Sequence, residues 1–218
     1  MIRSIFVVFL LIALNSQASA QLPPRVVAPA FNDMYSKTVK ELESGNLKVD
    51  FRNFRESFLK SRQYEVAKSK TKMMDTLEKR MYAELDKSNY PAVIRTTKQM
   101  LSIDYTNMLA HKILRQTYTM AGDTISARKY HDIQFGLLNS IVKGGNGKTC
   151  ETAWPVIQMS EEYFILKMLE AKVEQQSLIT KGGTCDKMDV VVDGKKKTYY
   201  FDISLVMKER EEAMQKKN

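Results

Sequence analysis

The hydrophobic periodicity of this sequence changes at residues 144–147, which read Gly-Gly-Asn-Gly, and the change limits the folds open to the chain. Over 31–143, apolar residues recur every three or four positions, and proline occurs only at Pro91. After residue 147, short apolar segments are separated by turn signals. The first pattern is typical of amphipathic helices and the second of β-strands. The sequence therefore predicts an α+β fold, in which a helical part precedes a small antiparallel β-sheet domain with one or two helices.

The same change of pattern divides the chain into predicted domains. We expect an extended lead-in over 21–30, a helical domain over 31–143, a glycine-rich hinge over 144–149 and a small α+β domain over 150–218.

Turn and capping residues set the predicted limits of the first helices. Gly45 ends a first helix, and Asp50 can cap a second. A third helix is predicted over 66–85. Its inward face is expected to contain Met73, Met74, Leu77, Met81 and Tyr82.

Three more helices are predicted over 90–101, 108–120 and 124–142, and Thr124 or Ser126 is the expected cap of the last. A helix, a short turn and a second helix of this length resemble a tetratricopeptide unit. The residues at the expected offsets are Leu114, Tyr118, Gly122 and Ala127. Because the pattern covers only about one and a half units, we expect tetratricopeptide-like helix hairpins in a small array.

Strand signals dominate the segment after the glycines. Strands are predicted over 154–159 and 177–179, and Asp193-Gly194 predicts a hairpin between 188–192 and 198–203. A charged helix over 206–214 closes the chain.

One segment of this half fits two predictions. Residues 161–169 fit a helix capped by Ser160, which we favour, but 163–166 is almost wholly apolar and also fits a strand.

The first twenty residues read as a secretory signal peptide. Arg3 precedes an apolar run over 5–14, and Ala18-Ser19-Ala20 predicts cleavage between Ala20 and Gln21. The residue directly after the cleavage site is Gln21 and not cysteine, so lipid attachment there is not expected. No later segment is long and apolar enough to cross a membrane. The predicted location is periplasmic or secreted.

The chain is basic, with 34 Lys and Arg against 25 Asp and Glu. This balance permits a protein partner with acidic groups, or an anionic envelope surface of lipid or polysaccharide. Export makes nucleic acid the poorest candidate. The second and third predicted helices contain a basic set that is either a binding face or an ordinary solvated face: Arg55, Lys60, Arg62, Lys68, Lys70, Lys72, Lys79 and Arg80.

No motif predicts a catalytic, cofactor-binding or metal-binding residue. Gly147-Lys148-Thr149 resembles the end of a P-loop, but Val142 stands where that motif needs glycine. The sequence contains neither a metalloprotease helix motif nor a nucleophile-elbow motif. His111 and His131 are not at a ligand spacing and are expected to be exposed or capping residues.

Cys150 and Cys185 are the only cysteines, and both remain after signal cleavage. In an oxidising compartment two cysteines often pair. Two separate thiols are the alternative. A cysteine nucleophile would need a nearby base, and both histidines lie on the other side of the predicted hinge.

Two sets of short motifs resemble a known family. After the glycines they are Gly145-Asn146-Gly147-Lys148-Thr149, Glu151-Thr152-Ala153, Val156-Ile157, Glu161-Glu162-Tyr163, Gln176-Ser177-Leu178, Cys185-Asp186 and Tyr200-Phe201-Asp202-Ile203. Upstream they are Asp50-Phe51-Arg52, Phe54-Arg55 and Ser61-Arg62-Gln63-Tyr64. Together they resemble domain-of-unknown-function family 4919, whose members are exported proteins found mainly in Bacteroidetes. The resemblance implies export and a shared fold, and it implies no catalytic residue, cofactor or substrate.

These observations support three hypotheses of function. The first is a non-enzymatic protein-interaction module of the cell envelope, in which the helices bind a protein partner. The second is a small extracytoplasmic enzyme, hydrolase-like, with polar residues such as Lys148, Glu161 or Asp186 meeting near the hinge. The third is a binder of anionic lipid or polysaccharide through the basic helices.

Overall fold

The structure is a computed structural model that describes residues 25–181 and 183–215. Its helices are α1 (Met34–Ser44), α2 (Phe51–Leu59), α3 (Arg62–Ser69), α4 (Thr71–Asp86), α5 (Tyr90–Ile103), α6 (Met108–Met120), α7 (Thr124–Val142), α8 (Met159–Met168) and α9 (Ser204–Gln215). Its strands are β1 (Trp154–Pro155), β2 (Lys172–Ile179), β3 (Cys185–Val192) and β4 (Lys195–Asp202). This order confirms the α+β fold class. The predicted signal peptide, with its cleavage between Ala20 and Gln21, lies outside the described residues.

The first two helices begin and end where their capping residues predict. Asp50 accepts a hydrogen bond from the backbone N–H of Asn53 at 3.0 Å, which caps α2. Gly45 follows α1 with φ of 94°, a conformation that glycine adopts without steric cost. Both predicted helix limits are therefore confirmed.

The prediction of a single helix over 66–85 is wrong, because two helices, α3 and α4, meet at Lys70. Lys70 has φ of −103° and ψ of 16°, and its side chain caps neither helix. Of the predicted inward face, Met81 is buried but Met73 is 52% exposed. Since α4 packs mainly against α5, only a narrow stripe of residues on α4 is buried.

Helices α5, α6 and α7 lie where the sequence predicts them. Gly122 has φ of 78° in the turn between α6 and α7, as a left-handed turn position requires. The cap of α7 differs from the prediction, since Asp123 accepts from the N–H of Ser126 at 2.9 Å. An aspartate at this position satisfies a free backbone N–H of the first turn, which leaves Thr124 inside the helix.

The sheet is mixed, in the order β1-β4-β3-β2, so the prediction of an antiparallel sheet holds for only part of it. The β3–β4 hairpin turns at Asp193 and Gly194, whose φ values of 51° and 72° fit a type I′ turn. Strand β1 runs parallel to β4, with Trp154 opposite Phe201. Local turn chemistry fixes the hairpin, whereas the partner of β1 is set by tertiary packing.

Strand β1 is shorter than predicted and β2 is longer. The backbone N–H of Val156 still donates to Asp202 O at 3.0 Å. The next free amide, that of Ile157, donates instead to a Glu161 carboxylate oxygen at 2.8 Å, so β1 does not extend further.

The segment 161–169 is helical as far as Met168, with Leu169 as the C-cap, and α8 packs on the sheet. Phe164, Ile165 and Leu166 belong to one hydrophobic core with Met188 of β3 and Phe201 of β4. Ser160 does not cap α8, because the helix begins earlier, after Gln158. The same core continues into the helices, and the division of the chain into two domains stays a prediction.

No helix in residues 25–181 or 183–215 combines the length and the apolar character that crossing a membrane requires.

Candidate functional site

A buried ion pair joins α2 to α8. Arg55 donates from Nε to Glu161 Oε1 at 2.7 Å and from Nη2 to Glu161 Oε2 at 2.5 Å, and each side chain is 2% exposed. Arg55 also donates from Nη2 to Pro155 O at 3.0 Å and from Nη1 to Ser140 Oγ at 3.3 Å. The N–H of Ile157 donates to Glu161 Oε2. These bonds tie α2, α7, β1 and α8 together, and we call this cluster the α2–α8 junction.

The position of Arg55 corrects its inclusion in the basic set that the sequence predicts to be either a binding face or a solvated face. Arg55 is 1% exposed, whereas the other seven basic residues of that predicted set are exposed. The sequence contains the signal, because Arg55 falls at helical spacing within an apolar stripe of Phe51, Phe54 and Phe58. A lone arginine in such a stripe indicates a buried charge that needs a partner.

Glu162 lies beside Glu161 but forms no comparable pair. It is 1% exposed, and its Oε2 has no hydrogen-bond partner within the described residues. Burial raises the pKa of Glu162 to about 8, and the negative charges of Asp186 and Glu161 add to the rise. The carboxyl is therefore mostly protonated at neutral pH.

The three residues expected to meet in an enzyme site have separate partners. Glu161 pairs with Arg55, and Asp186 Oδ2 accepts from Gln176 Nε2 at 2.9 Å. Lys148 is exposed, and its backbone N–H donates to Asn146 Oδ1 at 3.0 Å. Across the described ranges, no hydrogen bond or ion pair joins any two of the three.

The glycine-rich loop packs against the sheet. A Cβ on Gly147 would lie 2.7 Å from the Trp154 ring, and the Gly147 carbonyl accepts from the N–H of Tyr200 at 2.9 Å. The glycine at this position therefore permits close contact with β1, and the loop follows a helix and precedes a strand, the reverse of a phosphate-binding loop.

Cys150 and Cys185 are joined by a disulfide in the structure, with Cα atoms 5.9 Å apart. The bond connects the loop before β1 to the first residue of β3. In this form neither sulfur is a thiolate nucleophile.

The expectation that both histidines are exposed or capping is wrong for His111. His131 is exposed beside Asp132, with the Nδ1 and Oδ1 atoms 2.9 Å apart, but His111 is fully buried. Its Nε2 bonds to the Tyr105 carbonyl at 2.7 Å, while Nδ1 has no partner within the described residues. Burial lowers the pKa of His111 to about 4, so the ring is neutral at pH 7. His111 is buried because it lies on the inner face of α6.

In the described ranges, no group of three His, Cys, Asp or Glu side chains is arranged to hold a metal ion.

A groove opens where the turn between α4 and α5 approaches α6. Its volume is about 650 Å³. We call it the α4–α6 groove, and it is lined by Leu85, Ser88, Tyr90, Ile113, Arg115, Gln116, Thr117, Thr119 and Met120. Three helices contribute these residues, so no local sequence pattern predicts the groove.

The lining of the α4–α6 groove combines an apolar surface with unused polar groups. Met120 is 50% exposed. Thr117 is fully buried and lines the groove, yet its Oγ1 has no hydrogen-bond partner among the described residues. Arg115 is a charged residue of the lining, and its Nε is likewise buried, with no hydrogen-bond partner in residues 25–181 or 183–215. The exposed polar side chains of Ser88 and Gln116 complete the lining, so the groove can bind a ligand with both apolar and hydrogen-bonding groups.

Comparison with known protein families gives a match. A family model described as Domain of unknown function (DUF4919) matches residues 47–212, which include both the α2–α8 junction and the α4–α6 groove. The chain matches no curated protein and no solved structure.

Proposed function

The chain belongs to the DUF4919 family, and we propose that it acts as a non-enzymatic protein-interaction module of the cell envelope. In this proposal a segment of a partner protein binds in the α4–α6 groove. Residues 1–20 direct export to the periplasm or the exterior, and cleavage follows Ala20. The tetratricopeptide-like arrangement of α5–α7 and an origin in Bacteroidetes belong to the same proposal.

The observation that carries this proposal is the open α4–α6 groove with Met120 half-exposed beside polar groups. Large exposed apolar side chains that line a concavity favour contact with another molecule. Methionine suits this role because its flexible, polarizable side chain adapts to different apolar partners.

The polar groups of the groove match the needs of a polypeptide. A bound segment brings backbone N–H and C=O groups that must be satisfied once water is displaced. Ser88, Tyr90, Gln116 and Thr119 supply hydroxyl and amide groups around the apolar surface. The guanidinium group of Arg115 can pair with a carboxylate of the partner.

The junction favours binding over catalysis. Both carboxylate oxygens of Glu161 accept from Arg55, and one also accepts from the N–H of Ile157. A carboxylate held in this way is poorly placed to act as a general base, since a base must reach the proton that it removes.

Selection from a displayed library of random peptides tests the proposal. The library is panned on the exported chain, and recovered peptides are titrated against Met120→Glu and, as a control, Ile125→Glu. Ile125 is 84% exposed and lies outside the groove lining. We expect Met120→Glu to weaken binding about tenfold or more, which corresponds to about 1.4 kcal/mol, and Ile125→Glu to leave it unchanged. Equal binding by both variants would contradict the proposal.

A further inference from the structure

A second groove lies where α9 approaches α2 and α3. Its volume is about 620 Å³. We call it the α3–α9 groove, and it is lined by Leu59, Lys60, Ser61, Arg62, Tyr64, Glu65, Lys68, Val206, Glu209, Arg210, Ala213 and Met214. It shares no residue with the α4–α6 groove, so its ligand is a separate question.

The apolar part of this lining comes from both of its sides. Leu59 is 5% exposed and Val206 is 8% exposed, so they form part of the packed base. Tyr64 is half-buried, and Met214 is 61% exposed. The groove therefore offers an apolar surface that runs from its base up the α9 side.

The charges of the lining are unbalanced. Lys68 Nζ lies 2.9 Å from Glu65 Oε1, and Lys60 Nζ lies 4.0 Å from Glu209 Oε1, so each acidic residue has a lysine partner. Arg62 on α3 and Arg210 on α9 have no ion pair within the described residues. Both arginines are exposed, and they come from opposite sides of the groove.

We propose that the α3–α9 groove binds an acidic polypeptide segment that has at least one large apolar side chain. Its carboxylates pair with Arg62 and Arg210, and its apolar side chain contacts Met214 and Tyr64. Arginine suits this role because its planar guanidinium can bind a carboxylate through two hydrogen bonds.

The concave shape favours a polypeptide over a membrane. A flat anionic surface can reach exposed charges on the rim, but it cannot also reach the buried base at Leu59 and Val206. A polypeptide segment can enter the groove and contact both sides and the base, as in other helix-lined peptide grooves.

Fluorescence anisotropy with defined peptides tests this inference. The probe is a fluorescein-labelled twelve-residue peptide of glutamate and leucine, and its counterparts replace glutamate by glutamine or by lysine. We expect the glutamate peptide to bind and the lysine peptide not to bind. Binding should weaken as salt rises from low to several hundred millimolar, because the arginines are exposed.

Charge-matched variants locate the site. Arg62→Glu combined with Arg210→Glu is compared with Arg95→Glu combined with Arg128→Glu, which changes the net charge equally. Arg95 and Arg128 are exposed and line neither groove. The double variant in the groove should bind the glutamate peptide at least tenfold more weakly than the wild type, and the control double variant less than twofold more weakly. Circular dichroism confirms that each variant is folded.

Three results would overturn the inference. The first is equal loss of binding in both double variants, which would indicate attraction by net charge alone. The second is equal binding of the glutamate and glutamine peptides. The third is binding of phosphatidylserine vesicles, lost in the groove variant, without binding of the glutamate peptide, which would indicate a membrane surface. Met120→Glu should bind the glutamate peptide normally, which separates this inference from the proposal for the α4–α6 groove.

Discussion

The α2–α8 junction and the α4–α6 groove use polar residues in opposite ways. At the junction, Arg55 and Glu161 are buried and hydrogen-bonded to each other and to the surrounding backbone. In the groove, the exposed polar side chains of Ser88 and Gln116 line the same surface as the exposed side chain of Met120. Residues with acid–base chemistry are thus enclosed in structural contacts, whereas the open surface presents groups that suit binding.

This difference shows that the type of residue alone does not identify a site. A carboxylate and a guanidinium can be wholly occupied in stabilising a fold. Exposed hydroxyl, amide and methionine side chains in a groove can be the groups left available to a ligand. Substitutions at the two regions should therefore affect different properties, with large losses of stability at the junction and loss of binding at the groove.

The largest effect is expected from breaking the junction. Arg55→Ala leaves Glu161 buried without its partner and should lower the free energy of unfolding by about 3–5 kcal/mol. Arg52→Ala is the matched control on the same helix, since Arg52 forms a solvent-exposed pair with Glu56. That control should cost about 0.5 kcal/mol or less. Urea unfolding of both variants measures the difference, and similar losses would show that the junction is not a structural pair.

The next effect is a dependence of stability on pH that comes from Glu162. Its pKa is raised from 4.5 to about 8 in the folded chain. Between these values the folded state keeps a proton that the unfolded state releases, so stability falls as the pH rises through this window. The loss between pH 5 and pH 9 should be about 4 kcal/mol, and Glu162→Gln should remove most of it.

Denaturant unfolding at pH 5, 7 and 9 measures this dependence. Asp132→Asn serves as a control because Asp132 is about half-exposed and lies on α7 beside His131. If stability falls with pH as steeply in Glu162→Gln as in the wild type, the pH dependence does not come from Glu162.

A smaller effect is expected from the Cys150–Cys185 disulfide. The two residues are separated by 35 positions, and a disulfide typically stabilises a folded chain by about 2–4 kcal/mol. Cys150→Ser combined with Cys185→Ser should lower the free energy of unfolding by about that amount. Intact mass with and without reductant measures the pairing in the exported protein. A mass that shows two free thiols would contradict the pairing.

The smallest effect on stability is expected in the groove. Met120→Glu places a charge on a half-exposed side chain and should change the free energy of unfolding by less than about 0.5 kcal/mol. The same variant should lose peptide binding. A stability loss as large as that of Arg55→Ala would show that Met120 is a packing residue and not a free surface.

The sequence predicts the elements that depend on neighbouring residues. Asp193 and Gly194 specify the hairpin because their backbone conformation requires residues that tolerate positive φ. Asp50 specifies the start of α2 because its side chain needs only the amide of Asn53. In each case the determining atoms lie within three positions of one another.

The features that the sequence does not predict depend on distant residues. Arg55 and Glu161 lie 106 positions apart, so no spacing rule connects them. The break at Lys70 lacks a glycine or proline, and its only local mark is a backbone that leaves the helical region. The α4–α6 groove needs three helices to be placed before its lining exists. His111 is the intermediate case, since its burial follows from helix periodicity but its partner at Tyr105 does not.

Hydrogen–deuterium exchange with a selected peptide tests the central claim most directly, because it reports where on the chain the peptide binds. The account predicts slower exchange in residues 85–90 and 113–120 when the peptide is added to the wild-type chain. It predicts no change in residues 155–162 at the α2–α8 junction, and no change anywhere in Met120→Glu. Protection centred on residues 155–162, with the groove unaffected, would contradict the account and place the functional site at the junction.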